Sequence, residues 1–251
     1  MFLSINICLI AMKKITKILL VLLILLIIFA GVTTFMQNEN LGIFPFSSES
    51  ATVIGNNSNG TVYKMILGNA MSSDSVVVIL GVHSLESGIH NATNETIMNF
   101  TKDNSLNKKF IVYFIKLNFD DSGMNTSDYD TNRHMGELLA NEYVVPDIDK
   151  YHPHVIVDVH EMESYWEKQR YVGVVDNKSS TTMDYANAIG KGVGYPVYTI
   201  KSGTSPKWVS EPLAKKGNNV VVFETAQIDS QENKTHTAID LVRAIDNLPV
   251  R

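Results

Sequence analysis

The chain reads as one α/β domain built on a mixed, largely parallel central sheet flanked by helices, preceded by an N-terminal transmembrane helix. Three observations predict this. From residue 61 onward, apolar runs of strand length alternate with stretches of helical spacing, the order that builds a sheet covered by helices. Several runs, Ser75–Val82 and Phe110–Leu117 among them, are rich in Val, Ile and Phe with little polar alternation, as strands buried on both faces are. Nearer the N-terminus, Lys13, Lys14 and Lys17 precede residues 18–38, which carry no charge and are long enough to span a bilayer. The expected division is residues 1–36 as an extension and signal anchor, 37–60 as a linker, and 61–251 as the folded domain.

The apolar segment also has the form of a secretory signal. Ala30 and Gly31 are its only candidates for a cleavage site, so an uncleaved anchor is expected; cleavage would make the domain secreted. The lysines place the N-terminus in the cytoplasm and the domain outside. Met12-Lys13-Lys14 reads as a more natural start than Met1. Asn-x-Ser/Thr sequons begin at Asn56, Asn59, Asn91, Asn94, Asn99, Asn125, Asn177 and Asn233. They agree with an extracytoplasmic address, and they also arise by chance in a chain rich in these residues.

With 251 residues, 45% of them hydrophobic, the chain can build one sizeable core. The sole cysteine, Cys8, lies in the N-terminal extension, so the domain has neither a disulfide nor a thiol nucleophile. The net charge is −5 and grows more negative once the three anchor lysines are set aside. There is no basic patch, and nucleic acid is excluded as a partner.

Along the domain, residues 37–60 are polar and rich in Asn, Ser and Gly, and Thr61–Leu67 alternates as an edge strand does. Asn69–Asp74 make a turn into the strand Ser75–Val82. Residues 87–103 carry Ile89, Ile97, Met98 and Phe100 at helical spacings, and Phe110–Leu117 is again a strand. An acidic loop over 118–130 leads to a helix over 131–143. Strands follow at 154–160 and 171–175, a helix at 181–189, a short strand at 196–200 and a helix at 207–215. A strand over 219–224 and a helix over 237–248 close the domain, with no repeat and no second domain.

Three strands end on residues that hold metals or move protons. His83 and Glu86 follow the first, His160 ends another, and Glu224 ends the last. In an α/β sheet such ends converge at the C-terminal rim, where ligands bind. Two histidines and a glutamate make a three-ligand zinc site with one position open. A fourth carboxylate can then take the proton of an attacking water and pass it to a leaving amine. A His-x-x-Glu pair alone is common by chance; the strength lies in the set.

The motifs resemble, in order, those of the zinc carboxypeptidase family, including its relatives of the succinylglutamate desuccinylase and aspartoacylase type. The resemblance covers about residues 64–228. Gly81-Val82-His83-Ser84-Leu85-Glu86 resembles the family's ligand pair, Asp130-Thr131-Asn132-Arg133 its Asn-Arg element, and Asp158-Val159-His160 the strand carrying the third ligand. Residues 202–208 resemble its Ser-Gly-x-Ser-x-x-Trp stretch, and Val222-Phe223-Glu224-Thr225 the strand with the catalytic glutamate. The resemblance implies zinc on His83, Glu86 and His160, Glu224 as general base and acid, Arg133 gripping a substrate carboxylate with Asn132 assisting, and Tyr198 near the place of the family's mobile tyrosine.

The residue chemistry agrees. A guanidinium fork grips a carboxylate in two places, as lysine cannot, although a helix-start arginine is commonly a solvated charge. Asp158 is placed to orient His160, to pair with Arg133, or to meet solvent. Glu161 and Glu163 are rivals of Glu224 for the base role. His90, His134, His152, His154 and His236 are expected to stay off the metal, and Trp208 is expected to pack. The chain also departs from the family pattern. The interval from Glu86 to His160 is shorter than in the digestive-type enzymes, and their oxyanion arginine has no clear match, with Arg170 and Lys116 as substitutes. The family's tyrosine falls at Thr199 by spacing, one step from Tyr198, and one step on a strand reverses the side chain.

The expected activity is extracytoplasmic, zinc-dependent hydrolysis of an amide bond next to a carboxylate, in a peptide or cell-wall-type peptide. Two alternatives stand beside it: deacylation of N-acyl amino acids, and a catalytically inactive surface protein that keeps the fold for binding.

Overall fold

The computed structural model describes residues 51–118, 126–175, 179–200 and 204–249. The expected transmembrane helix lies outside them, as does most of the expected linker; among the described residues no helix is long and apolar enough to cross a membrane. The strands are β1 (Ala51–Asn57), β2 (Gly60–Gly68), β3 (Ser75–Leu80), β4 (Lys109–Leu117), β5 (Val155–Met162), β6 (Tyr171–Val174), β7 (Val197–Thr199) and β8 (Val220–Ala226). The α-helices are α1 (Ser87–Lys102), α2 (Thr126–Leu139), α3 (Val145–Ile148), α4 (Ser180–Val193), α5 (Thr204–Trp208), α6 (Ser210–Lys215) and α7 (Gln231–Asp246).

All eight strands form one mixed sheet in the order β1-β2-β4-β3-β5-β8-β6-β7. The middle strands β4, β3, β5 and β8 run parallel, which brings their C-terminal ends to one rim. The outer pairs contain the antiparallel contacts, β1 on β2, β2 on β4 and β6 on β8. Every residue of β3 is buried, as the unbroken apolar run predicts for a central strand. Alternate side chains feed two cores. Val76, Val78 and Leu80 join Val157, Val159, Phe223 and residues of α1, α4 and α7. Val77, Ile79, Tyr113 and Ile156 face the other way, toward Leu139, Ala140, Ile148 and Leu213.

The edges differ from the sequence-based expectation. Residues 51–57, assigned to the linker, form a strand paired antiparallel with β2, so Thr61–Leu67 is not at the edge. The hairpin turn is closed by Asn57, whose Oδ1 accepts the Asn59 N–H at 2.8 Å, a local side-chain turn that a polar Asn-rich stretch conceals. Helical structure also begins at Thr126, inside the expected acidic loop.

Two prolines shape the helices that cover the site. Beyond α2 the chain continues as a π-helical turn, Ala140–Val144, and then α3. Pro146 has no N–H for the carbonyl four residues back and its ring crowds it, so the ladder widens there. Pro212 likewise leaves the Trp208 carbonyl without its helical donor, and Asn141 Nδ2 supplies one at 2.6 Å. The helix expected over 207–215 is therefore two short ones, α5 and α6, broken at Val209.

Asp147 fastens this segment to the sheet. Its carboxylate accepts from Lys64 Nζ at 2.8 Å, Tyr113 Oη at 2.8 Å and Lys150 Nζ at 2.6 Å. Burial alone would raise Asp147, but hydrogen bonds from Lys150, Lys64 and Tyr113 outweigh it and hold the group below the usual range. A depressed folded value means that this stabilisation is present above the unfolded value of about 3.9 and is lost as pH falls through the folded one. Asp147→Asn is expected to cost about 1–3 kcal/mol at neutral pH, the scale of a buried hydrogen-bonded charge. The difference from wild type should shrink in urea melts as the pH falls below 4.

Candidate active site

The turn after β3 sets the first two ligand candidates. Gly81 adopts φ +81°, and a Cβ there would meet the Ile115 carbonyl oxygen at 2.1 Å; only glycine makes this corner cheaply. The chain then presents His83 and closes a 3₁₀ turn over Ser84–Glu86, which runs into α1. Across the rim, α2 lies so close that a Cβ on Gly136 would meet the Val82 carbonyl oxygen at 1.9 Å. That approach carries Arg133 and Glu137, one helical turn apart, to the same turn. His160 comes from the C-terminal half of β5, and its register partner on β8 is Glu224.

His83, Glu86 and His160 converge. Their ligand atoms all lie within 4.8 Å of one another, and each residue is only 2% exposed. Glu86 stands between the rings, with Oε1 2.7 Å from His83 Nδ1 and Oε2 2.9 Å from His160 Nδ1. Burial alone would raise Glu86, but the charges of His83 and His160 hold it well below the ordinary carboxylate value. His160 is raised well above the ordinary imidazole value: burial opposes this, and Asp158 and Glu86 overcome it. Two imidazole Nδ1 atoms turned toward one buried carboxylate fit a zinc-type ligand set in donor chemistry and proximity.

The outer nitrogens are held as well. His160 Nε2 lies 3.0 Å from Asp158 Oδ1, while Ser210 Oγ donates to Asp158 Oδ2 at 2.7 Å. Of the partners open to Asp158, His160 is the one observed, at ion-pair distance though without hydrogen-bond alignment at Oδ1. His83 Nε2 lies 3.3 Å from Glu137 Oε1. Glu137 belongs to no motif in the sequence; its one signal there is the spacing of four from Arg133 on one helix face. Carboxylates behind ligand imidazoles fix ring orientation and raise basicity.

Glu161 is not a rival base. Its neighbour His160 points to one face of the sheet, and Glu161 points to the other. There it accepts the Ile89 N–H at the start of α1 and pairs with Lys234 Nζ of α7 at 2.8 Å. Its backbone N–H donates to Glu86 Oε2 at 3.1 Å. The residue thus ties β5 to the ligand turn. Glu163 stands at the rim, 3.2 Å from Arg133 Nη1. Arg133 Nη1 also lies 3.1 Å from Glu86 Oε1.

A cavity of about 700 Å³ opens over these residues, lined by His83, Glu86, Arg133, His160, Tyr198 and Glu224 among others. Glu224 is 8% exposed, and its Oε2 has no hydrogen-bond partner among the described residues. Burial, chiefly, pushes it up to about 8, with Glu86 and Asp158 adding to the rise and His160 and Arg133 opposing it. A buried carboxylate so placed beside a metal-type cluster is a candidate proton-transfer group.

Tyr198 lies on the cavity wall, with the Lys168 ammonium 4.3 Å above its ring. Asn132 does not line the cavity; it is buried beside His83, Ser84 and Leu85. Arg170 and Lys116, considered for the oxyanion, do not line it either; Arg170 is paired with Asp229. Trp208 packs against the core and meets His134 edge-on at 5.2 Å. None of the other five histidines joins the ligand cluster among the described residues. The sequon residue Asn94 is fully buried on α1, out of reach of glycosylation in the folded chain.

No family model matches the chain, and no curated relative matches it. Solved structures do share its fold. The metallo-carboxypeptidase of Burkholderia cenocepacia superposes with a TM-score of 0.53 at 11% identity, over 84% of this chain and 67% of that one. The murein-tripeptide amidase MpaA of Escherichia coli O157 gives 0.51 at 10% identity, over 80% of this chain and 93% of that one. The tripeptide-bound cell shape determinant Csd4 of Helicobacter pylori gives 0.51 at 10% identity, over 74% of this chain; the match spans only 54% of Csd4. The likeness is one of fold, and it agrees with the zinc carboxypeptidase resemblance read from the motifs.

Proposed function

We propose that the chain is a zinc-dependent hydrolase that cleaves an amide bond next to a free carboxylate, in a peptide or cell-wall-type peptide. The observation that carries this is the convergence of His83, Glu86 and His160 beside buried Glu224, whose Oε2 has no hydrogen-bond partner among the described residues. Peptides are favoured as substrates because two proteins of this fold are described as a murein-tripeptide amidase and a tripeptide-bound cell shape determinant. Zinc, when bound, supplies Lewis acidity that activates water and polarises the scissile carbonyl.

The chain's own residues do the rest. Glu224 takes a proton from the attacking water on its carboxylate as the new C–O bond forms. It returns that proton to the departing nitrogen as the C–N bond breaks, and the second proton of the water passes to the amine as well, leaving a carboxylate and an ammonium. Arg133 holds the substrate carboxylate through charge-assisted hydrogen bonds, in place of its contact with Glu163. Tyr198 forms part of the wall beside the substrate.

The site is proposed to face outside, anchored through the uncharged segment that follows Lys17. Zinc-loaded protein should release C-terminal residues from peptides, and the same protein stripped by a chelator should not. Turnover confined to N-acyl amino acids would favour the deacylase reading, and zinc uptake without any turnover the binding-protein reading. Arg133→Lys is expected to lower kcat/KM about 10- to 100-fold, mostly through KM, the worth of a two-point charged hydrogen bond. Steady-state kinetics on a peptide and on its C-terminal amide check this, because the amide should lose the same advantage.

A further inference from the structure

Three adjacent strands carry one row of side chains across the rim. His160 on β5 is the register partner of Glu224 on β8, and Glu224 is in turn the partner of Tyr171 on β6. Direct partners point to the same face of a sheet, and neighbouring strands lie about 4.8 Å apart. The row therefore reads metal ligand, base, phenol. Tyr171 is 9% exposed and lines the same cavity as Glu224.

Among the described residues, its hydroxyl makes no hydrogen bond. Burial and the charge of Glu224 raise it above the ordinary phenol value, and no hydrogen bond contributes. The phenol stays protonated and able to donate at any working pH. Its ring is fixed edge-on against Tyr198 at 5.8 Å. One row deeper, Val222 is partnered by Gly173, over which the Ile200 side chain and the Tyr171 ring close in, with Val222 and Ile200 on the cavity wall. Buried tyrosine hydroxyls ordinarily find a partner. Here Glu224 Oε2 has no hydrogen-bond partner among the described residues, and Tyr171, its neighbour in the row, lines the same cavity.

We propose that Tyr171 is a substrate-contacting residue, its hydroxyl donating a hydrogen bond to an acceptor oxygen of the residue that departs, on the side of Glu224 away from the metal ligands. Glu224 must reach both the attacking water and the departing nitrogen, so the departing residue lies along this row. The inference rests on the hydrolase reading above and adds the hydrogen-bond donor that positions the leaving part.

Tyr171→Phe removes only the oxygen. Because that oxygen has no partner among the described residues, the melting temperature of the zinc-loaded full chain should not fall. The value of kcat/KM for peptide cleavage should drop about tenfold, the worth of one neutral hydrogen bond, with the pH profile unmoved. An unchanged kcat/KM would overturn the proposal. So would a shifted acid limb with an unchanged plateau, which would mean that the phenol acts only on Glu224. Calorimetry with a phosphinic dipeptide analogue keeps the test independent of turnover. Weaker binding by the variant, again about tenfold, supports the contact even if wild type proves inert, and equal binding refutes it.

Discussion

Glu224→Gln is expected to lower kcat by about 10²–10⁴-fold, the usual contribution of a positioned acid–base group, while zinc content stays at the wild-type level. Gln keeps the shape and removes the proton acceptor, and nothing else on the cavity wall stands in the same row between His160 and Tyr171. The acid limb of the pH–rate profile should disappear with it. Bound metal adds positive charge beside Glu224, so in the loaded enzyme that limb should lie below the value of about 8 reached without metal.

The same substitution should stabilise the metal-free protein. A carboxylate whose folded value is raised opposes folding once pH exceeds its unfolded value of about 4.3, and the penalty grows until the folded value is passed. At pH 7 Glu224→Gln is expected to gain on the order of 1–3 kcal/mol in metal-free urea melts. At pH 4 it should gain little. A residue kept for packing would show the reverse, a loss of stability on replacement. Full turnover by the variant would remove Glu224 from the base role.

The second large effect belongs to Glu86. It receives His83, His160, Arg133 and the Glu161 N–H together, and its lowered pKa keeps it ionised at neutral pH. Glu86→Ala should abolish stoichiometric zinc binding and turnover together. Glu137→Gln is the graded control. It touches His83 only at the outer nitrogen, so zinc affinity should fall about 10–100-fold rather than vanish. Competition with a chromogenic chelator measures both. Equal losses in the two variants would contradict the ligand assignment, as would zinc retained by Glu86→Ala with wild-type affinity.

Much of this site was legible because a parallel sheet converts sequence into position. A strand that ends in His83, His160 or Glu224 sends that residue to the rim whatever its distance along the chain, and the apolar runs marked the strands. Contacts that depend on packing between elements were not legible. Glu137 reaches His83 only because Gly136 lets α2 lie on the Val82 carbonyl. Glu161 reads from the sequence as a rival base, but strand alternation turns it away from His160, and Lys234, far along the chain, pairs with it. Tyr171 carried no motif; its place follows from β6 running antiparallel to β8, which no local pattern encodes. The first strand was hidden for a similar reason: its polar composition suited a linker, and it pairs only at an edge.

The most direct test of the central claim is a crystal structure of the zinc-loaded chain with anomalous scattering measured on both sides of the zinc absorption edge. The account predicts one zinc, held by His83, Glu86 and His160 at ligand distances of about 2.0–2.2 Å, with Glu224 beside it and unligated. A zinc bound elsewhere, or no zinc in this cluster at saturating metal, would contradict it.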